Sequence, residues 1–273
     1  MRLLFLGTAA AEGIPAMWCE CDVCKKAKSV GNKELRRRCS YLIDDDTIID
    51  FGPDSFWQSM EYNIDLTKIA RVLFTHPHGD HMSPLEFEFR WSPNFSLVTH
   101  NISVMASAET LREMLKATGR EFNILNIAPV EYIAGKWITD GDMQVMAVPA
   151  KHAPGMGAMI LVVKRNNKTL LIANDTGFLV ESSWEMLKGI KLDTAVIEST
   201  CAFGLPDAAN GHMGVNTTVR FRDKLLEMGC ITDETPVYVN HFSHNGQANH
   251  DRLTGFFQPR NMTVAFDGLC AEI

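Results

Sequence analysis

The chain has 273 residues, of which 46% are hydrophobic and 22% are charged. This length can bury a full core without disulfides, and no apolar run reaches the roughly 18 residues of a membrane span, so disordered, disulfide-stapled and membrane proteins are disfavoured. The net charge of −7 argues against a large nucleic-acid binder, which would carry a basic surface. The seven cysteines are odd in number and clustered, so we expect a reducing compartment and a cytoplasmic protein.

Strands are predicted along most of the chain, and helical patterns separate them. Ser107 caps a predicted helix that ends at Gly119, and a second helix carries Phe221 and stops at Gly229. The predicted strands are Arg2–Thr8, Tyr41–Ile43, Thr47–Asp50, Arg71–Thr75, Gln144–Val148, Ala158–Val163, Thr169–Ala173, Thr194–Ile197, Pro236–Val239 and Met262–Phe266. This order predicts an α/β (α+β) fold with mixed sheets and outer helices. Because no linker or repeat interrupts it, residues 1–273 are expected to form one domain.

The densest chemical signal follows the predicted strand Arg71–Thr75. It consists of His76, His78, Asp80 and His81, with a proline and a glycine between them that prevent a helix. Imidazole and carboxylate are the ligands of zinc, manganese or iron. A loop at the end of a buried strand is also where α/β sheets place their sites. The segment therefore predicts a metal centre.

These residues match the HxHxDH signature of the metallo-β-lactamase superfamily, which the chain resembles in three later motifs. His152, Asp175 and His241 each follow a predicted strand, in the order in which that family carries its remaining ligands. The resemblance extends from residue 7 to residue 268. It implies a four-layer αββα sandwich with a dinuclear metal site at one edge.

The resemblance also implies how the ligands divide between two divalent metals, zinc or manganese or iron. His76, His78 and His152 would hold one metal, Asp80, His81 and His241 the other, and Asp175 would bridge them. Two such ions, two aspartates and a bridging hydroxide leave a charge of about +1, which suits a phosphodiester anion. The expected nucleophile is the bridging hydroxide.

A second cluster lies near the N-terminus, where Cys19, Cys21 and Cys24 fall within six residues. A structural zinc needs four ligands, and Cys₃His is one established set. His244, three residues after His241, is the candidate for the fourth ligand. The competing interpretation is a set of free buried thiols. The remaining cysteines are expected to be ordinary buried thiols: Cys39, Cys201, Cys230 and Cys270.

Several segments make the chain similar to the PhnP-type phosphodiesterases of the carbon–phosphorus lyase pathway. They are Gly7-Thr8, Gly13-Ile14-Pro15, the Cys-x-Cys-x-x-Cys run, His244 and Phe266-Asp267-Gly268. This resemblance implies hydrolysis of small phosphodiesters, including a cyclic ribosyl phosphate. It also implies a structural zinc on Cys19, Cys21, Cys24 and His244.

Three different functions remain open beside this one. The tRNase Z endonucleases share the HxHxDH motif, but they typically carry a long tRNA-binding arm. Here only 22 residues separate His152 from Asp175, and they predict a plain hairpin around Asn166-Asn167. The second possibility is a PqqB-like accessory protein with little activity. The third is a hydrolase of another bond, such as a lactamase or thioesterase.

Phosphodiester hydrolysis needs a proton at the leaving oxygen, and histidine is the usual donor near neutral pH. By resemblance to both phosphodiesterase families, His212 is the candidate acid, and Glu198 would orient it. Asp80 is expected to take part in catalysis as well as to bind metal.

The expected partner is a small phosphodiester, with no membrane and no large nucleic acid. An apolar run in the loop before His212 indicates an apolar wall or a contact within a homodimer. It consists of Phe203, Leu205 and Pro206.

Overall fold

The computed structural model describes residues 1–273, which form fourteen strands and six α-helices. The strands are β1 (Arg2–Gly7), β2 (Ser40–Ile43), β3 (Thr47–Ile49), β4 (Arg71–Leu73), β5 (Ile102–Ala106), β6 (Ile127–Glu131), β7 (Trp137–Asp140), β8 (Met143–Pro149), β9 (Met159–Arg165), β10 (Lys168–Ala173), β11 (Thr194–Glu198), β12 (Val237–Asn240), β13 (Met262–Val264) and β14 (Cys270–Glu272). The helices are α1 (Asp22–Val30), α2 (Ser55–Glu61), α3 (Ala108–Thr118), α4 (Glu181–Leu187), α5 (Val215–Glu227) and α6 (His250–Phe257). No helix has both the length and the apolar character needed to cross a membrane.

The strands build two mixed seven-stranded sheets. Their orders are β14-β1-β2-β3-β4-β5-β6 and β13-β12-β11-β10-β9-β8-β7. Within the second sheet β10, β11, β12 and β13 are parallel, whereas β7, β8, β9 and β10 alternate in direction. With helices on both outer faces, this is the predicted four-layer αββα sandwich.

The apolar residues alternate along each strand because successive side chains point to opposite faces of a sheet. On β10, Leu170 and Ile172 join the core between the two sheets, while Leu171 and Ala173 join the core beneath the outer helices. On the first sheet, Leu73 of β4 faces the shared core, and its neighbours face the opposite side. The sandwich therefore has three apolar layers.

All ten predicted strands are present, with ends that differ by at most two residues. The first predicted helix is α3, in which the Ser107 hydroxyl accepts a hydrogen bond from the Thr110 amide and Gly119 adopts the left-handed conformation. Four further strands, β5, β6, β7 and β14, were not predicted. Three of them lie at sheet edges, where burial is incomplete and the alternating pattern is weak, and β6 also contains Pro129.

A buried arginine ties the N-terminal strand to the C-terminal part of the chain. The Arg36 guanidinium donates hydrogen bonds of 2.7 Å to the Thr8 hydroxyl and to the Ala265 carbonyl, and it lies 3.0 Å from Nδ1 of His250. Burial, together with the charges of Arg36 and Lys33, lowers the pKa of His250 to about 4. His250 therefore stays neutral in the folded protein, and its Nδ1 accepts a hydrogen bond from Arg36.

This pKa makes the free energy of unfolding depend on pH. An unfolded histidine has a pKa of about 6.5, so below that pH the unfolded chain binds a proton that the folded chain does not. Stability from His250 is present above pH 6.5 and is lost as the pH falls toward 4. Between pH 6.5 and pH 4, the wild type should lose more unfolding free energy than His250→Gln loses. The expected difference is about 1–2 kcal/mol, a figure that is reduced to allow for solvent screening. Denaturant unfolding at a series of pH values measures this change. The exposed His100→Gln should keep the wild-type profile, and an unchanged profile in His250→Gln would contradict the assignment.

Candidate active site

The expected ligands come from the carboxyl ends of four strands that meet at one edge of the sandwich. The loop after β4 carries His76 and His81, and β8, β10 and β12 are followed by His152, Asp175 and His241. Because β8 and β10 both run antiparallel to β9, and β12 runs parallel to β11 and β10, these three ends point the same way. The fold thus gathers residues that are up to 165 positions apart in the chain.

Three histidines form the first candidate ligand set. Nε2 of His76 lies 2.9 Å from Nδ1 of His78, which lies 3.2 Å from Nε2 of His152. His78 therefore points its Nδ1 toward the other two rings, whereas His76 and His152 point their Nε2 atoms inward. The three nitrogens are close enough to bind one ion.

The second candidate set consists of Asp80, His81 and His241, with Asp175 between the two sets. Nε2 of His81 lies 3.0 Å from a carboxylate oxygen of Asp80 and 3.0 Å from Oδ2 of Asp175. The same Oδ2 lies 2.9 Å from Nε2 of His241. The other oxygen, Oδ1, faces the first set, 3.7 Å from Nε2 of His152.

Two of the candidate ligands have strained backbones. Asp175 has φ 46° and His241 has φ 58°, in the left-handed region that residues other than glycine seldom adopt. Such conformations cost on the order of 1–3 kcal/mol and persist where the surroundings hold them in place. The turns after β10 and β12 thus direct both side chains to the same point.

The ring nitrogens that do not face the site are held by hydrogen bonds. Each of four rings has its Nδ1 next to an oxygen of a neighbouring residue or loop. The pairs are His76 with the Thr75 hydroxyl (3.0 Å), His81 with Oδ2 of Asp50 (2.7 Å), His152 with the Gly211 carbonyl (3.0 Å) and His241 with the Thr200 hydroxyl (2.8 Å). This pattern fixes the tautomer and ring orientation of metal-binding histidines.

The buried polar atoms of the second set fit a metal ion. Nε2 of His81, Nε2 of His241 and Oδ2 of Asp175 are fully buried, and none has a hydrogen-bond partner despite separations of 2.9–3.0 Å. An unsatisfied buried polar group costs about 1–3 kcal/mol or more. A divalent cation would satisfy all three at once, and nitrogen and carboxylate oxygen suit zinc, manganese or iron.

The ionisation states of the two carboxylates and of His76 support the same conclusion. Burial raises the pKa of Asp175, but the charges of His241 and His81 outweigh it and hold this pKa well below the usual range. The pKa of Asp80 is likewise lowered by His81 against the effect of burial. Burial and the neighbouring His81 lower the pKa of His76. Both carboxylates are therefore ionised and His76 is neutral, the forms in which these groups bind metals. Burial lowers the pKa of His81, but the charges of the surrounding carboxylates outweigh it and raise this pKa well above the usual value, so His81 would lose a proton when a metal binds.

Glu198, at the end of β11, holds together three loops of the site. Its fully buried carboxylate accepts hydrogen bonds from the amides of Thr176 (2.8 Å), Thr200 (3.1 Å) and Met213 (3.0 Å). It also lies 3.0 Å from Nδ1 of His212. Burial lowers the pKa of His212, but the hydrogen bond and charge of Glu198 outweigh burial and raise this pKa to about 9. The structure thus brings together the two residues that the sequence paired.

An open cavity of about 470 Å³ lies over the two ligand sets. His212 borders it, and so does Leu205, a member of the predicted apolar wall that is 65% exposed. Cys201 also lines the cavity and is only half-buried, while Cys270 is exposed. The expectation that these two cysteines are buried is therefore wrong, because one lies at the cavity and the other on the edge strand β14.

The cysteine cluster forms a separate site beside the cavity. Sγ of Cys19 lies 3.3 Å from Nδ1 of His244, and Sγ of Cys21 lies 3.6 Å from it. Cys24, in the first turn of α1, completes a set of four candidate ligand atoms. Burial raises the pKa of the Cys21 thiol, but hydrogen bonds from the Cys24 amide and His244 lower it to about 6 overall. Three sulfurs and one nitrogen suit a structural zinc.

Sequence reasoning missed residues that hold the ligands. Asp50 is fully buried and accepts hydrogen bonds from the Thr75 amide and hydroxyl (both 2.8 Å) as well as facing His81. Part of the signal lay in the sequence, because Asp50 directly follows the strand Thr47–Ile49, but the pairing of that strand with β4 is seen only in the structure. The carboxyl ends of neighbouring parallel strands meet at one edge, and β3 pairs with β4.

The role of Asp50 leads to a prediction about metal affinity. We expect Asp50→Asn to weaken metal binding at the second set by roughly 10–100-fold, because His81 loses the carboxylate that orients it. Titration of the protein with a coloured chelator measures this affinity. The exposed Asp233→Asn serves as the control, and equal affinities in the two variants would contradict the role.

The cysteine site predicts an effect on stability. Cys21→Ser should remove one zinc ion per chain and lower the melting temperature, because a structural zinc contributes directly to folding. The matched control is Cys270→Ser, since Cys270 is exposed and lies outside the cluster. Zinc content and melting temperature that match the control would show that Cys21 holds no metal.

Comparisons with known proteins agree with this architecture. A family model described as a β-lactamase superfamily domain matches residues 46–228. An octanoyltransferase from Porphyromonas gingivalis (strain ATCC BAA-308 / W83) is 36% identical over 90 residues. That stretch is 32% of this chain and 17% of the octanoyltransferase, so the chain covers only a small part of that relative.

Three solved structures are similar over the whole chain. A diphosphatase of the PhnP family is 23% identical, with a TM-score of 0.76 and 98% of its chain covered. Zinc-bound PqqB from Methylobacterium extorquens is 15% identical (TM-score 0.73, 100% covered), and the short form of human tRNase Z is 16% identical (0.68, 99% covered). Because all three identities are below 25%, these similarities show a shared fold and nothing about the substrate. The chain therefore belongs to the metallo-β-lactamase superfamily, as its motifs predict, and has the architecture of that superfamily's metal-dependent hydrolases.

Proposed function

We propose that the chain is a dinuclear metal-dependent phosphodiesterase that hydrolyses small phosphodiesters, a cyclic ribosyl phosphate among them. The observation that carries this proposal is the position of Asp175. One of its carboxylate oxygens faces His81 and His241 at 2.9–3.0 Å, and the other faces His152. A single carboxylate between two candidate ligand sets is suited to hold two adjacent ions, as in two-metal hydrolytic sites.

In this proposal the two sets hold one divalent ion each. The ligands are His76, His78 and His152 in the first set, Asp80, His81 and His241 in the second, and Asp175 between them. When bound, two such ions supply positive charge for the phosphoryl oxygens and lower the pKa of water toward about 7. The overall charge of −7 would then be compatible with an anionic substrate, because the ions would add positive charge beside residues that line the cavity.

His212 has the geometry of a proton donor to the leaving group. Glu198 holds its Nδ1 at 3.0 Å, and the side chain is 31% exposed at the cavity, so Nε2 is free to donate a proton to the departing alkoxide. Because Glu198 is buried and bound to three backbone amides, it keeps the ring in one orientation. A positioned acid of this kind contributes about 10²–10⁴-fold to a rate.

Two observations favour a small substrate over tRNA. β9 and β10 are joined through Asn166 and Asn167 alone, so no arm extends from the chain between His152 and Asp175. The cavity of about 470 Å³ matches a mononucleotide-sized ligand. A PqqB-like accessory role predicts instead that the metal-loaded protein turns over no phosphodiester.

The experiment compares leaving groups. Metal-loaded protein should hydrolyse bis(p-nitrophenyl) phosphate, and a chelator should abolish this activity until metal is restored. We expect His212→Ala to lower kcat by about 10²–10³-fold on a phosphodiester with an alkyl leaving group. The loss on the nitrophenyl ester should be below about tenfold, because nitrophenolate leaves without a proton.

The exposed His100→Ala provides the matched control and should retain both activities. Equal losses on the two esters in His212→Ala would contradict its role as the acid. No turnover by the metal-loaded wild type would favour the accessory role.

A further inference from the structure

One part of the cavity lining plays no role in holding the two active-site metals. The loop after β1 contributes Glu12 to it, and the loop after β12 contributes Ser243, Asn245 and Gln247. All four are hydrogen-bonding side chains, and none belongs to either ligand set. They are available to the part of a substrate that lies beyond the phosphoryl group.

Glu12 is anchored at one carboxylate oxygen only. Its Oε1 accepts hydrogen bonds from the Ser243 hydroxyl (3.3 Å) and the Asn245 side-chain amide (3.4 Å), and it lies 3.8 Å from Nε2 of His244. Both of these hydrogen bonds end on Oε1, and none from the chain reaches Oε2. The side chain lines the cavity and is 38% exposed, and no hydrogen bond within the protein occupies Oε2.

The charge of this wall is negative. No lysine or arginine lines the cavity. Two arginines contact the same loops, but neither lines the cavity, and both have other hydrogen-bond partners. Arg38 pairs with Asp54 at 2.9 Å and donates to the Ala11 carbonyl, and Arg252 donates to the Gln247 carbonyl. A second anionic group on a substrate would therefore meet Glu12 without a compensating cation, whereas a hydroxyl would find an acceptor.

We propose that Glu12 is a specificity-determining residue that selects phosphodiesters whose alcohol part is neutral and rich in hydroxyl groups, such as an unphosphorylated sugar. It accepts a hydrogen bond from a sugar hydroxyl through Oε2 and repels a second phosphate. This inference rests on the proposed phosphodiesterase function. It adds to that function a discrimination between substrates that have the same scissile bond.

Two substrates that differ by a single phosphate test the inference. They are adenosine 2′,3′-cyclic phosphate and its 5′-phosphorylated form, in which a second phosphate replaces the free 5′-hydroxyl. We expect the metal-loaded wild type to prefer the 5′-hydroxyl form by about tenfold or more in kcat/KM, and Glu12→Gln to reduce this preference to about threefold or less. Calorimetry should show the same order in the Kd of the two products.

Controls separate this selectivity from other effects. Glu234→Gln, an exposed substitution of the same type, should keep the wild-type preference. Glutamine retains an oxygen for Ser243 and Asn245, so the zinc content of Glu12→Gln should match the wild type. A lost preference that tracks a loss of zinc would assign the effect to the cysteine loop and overturn the proposal.

The two proposals can fail separately. If the wild type hydrolyses bis(p-nitrophenyl) phosphate but shows no preference between the adenosine substrates, the role of Glu12 is wrong and the phosphodiesterase function stands. A preference that survives in Glu12→Gln also contradicts that role. If the wild type hydrolyses none of these esters, the proposed function itself fails.

Discussion

The structure depends on the convergence of buried imidazoles and carboxylates at one edge of two apolar sheets. Polar atoms in such a place are costly unless they are paired, and three of them have no hydrogen-bond partner: Nε2 of His81, Nε2 of His241 and Oδ2 of Asp175. A site of this kind is stable when cations complete it. The strained backbones at Asp175 and His241 indicate that the fold tolerates an energetic cost to place these atoms.

The surrounding elements serve to hold that convergence. Parallel strand ends deliver the ligands to one edge, and a second layer of hydrogen bonds from Asp50, Thr200 and Gly211 orients the rings. Glu198 extends this layer to His212, so the same buried carboxylate braces a ligand loop and the candidate acid. The cysteine cluster lies beside the cavity. Its member His244 is three residues after His241 and approaches Glu12. Hydrogen bonds and chain segments thus connect the candidate metal-binding edge, the proposed proton donor and the proposed substrate wall.

Local patterns predicted the strands and the metal-binding motifs, and the resemblance of those motifs to the metallo-β-lactamase superfamily implied the sandwich and the division of the candidate ligands. Strongly apolar strands such as Thr169–Ala173 are recognisable, and each ligand follows such a strand closely. The edge strands were missed because partial burial weakens their pattern, as Pro129 does in β6. Asp50 and Thr200 were missed for another reason. Their role depends on which strands are neighbours in the sheet, and the order of strands in space cannot be read from a single strand.

The central claim is that the convergent histidines and aspartates form a two-metal site that hydrolyses phosphodiesters. The most direct measurement is metal content per chain, by mass spectrometry, followed together with bis(p-nitrophenyl) phosphate turnover during chelator titration. The account predicts two ions whose removal abolishes turnover and a third, held by the cysteine site, that resists the chelator longer. Undiminished turnover in protein stripped of all metal would contradict the account.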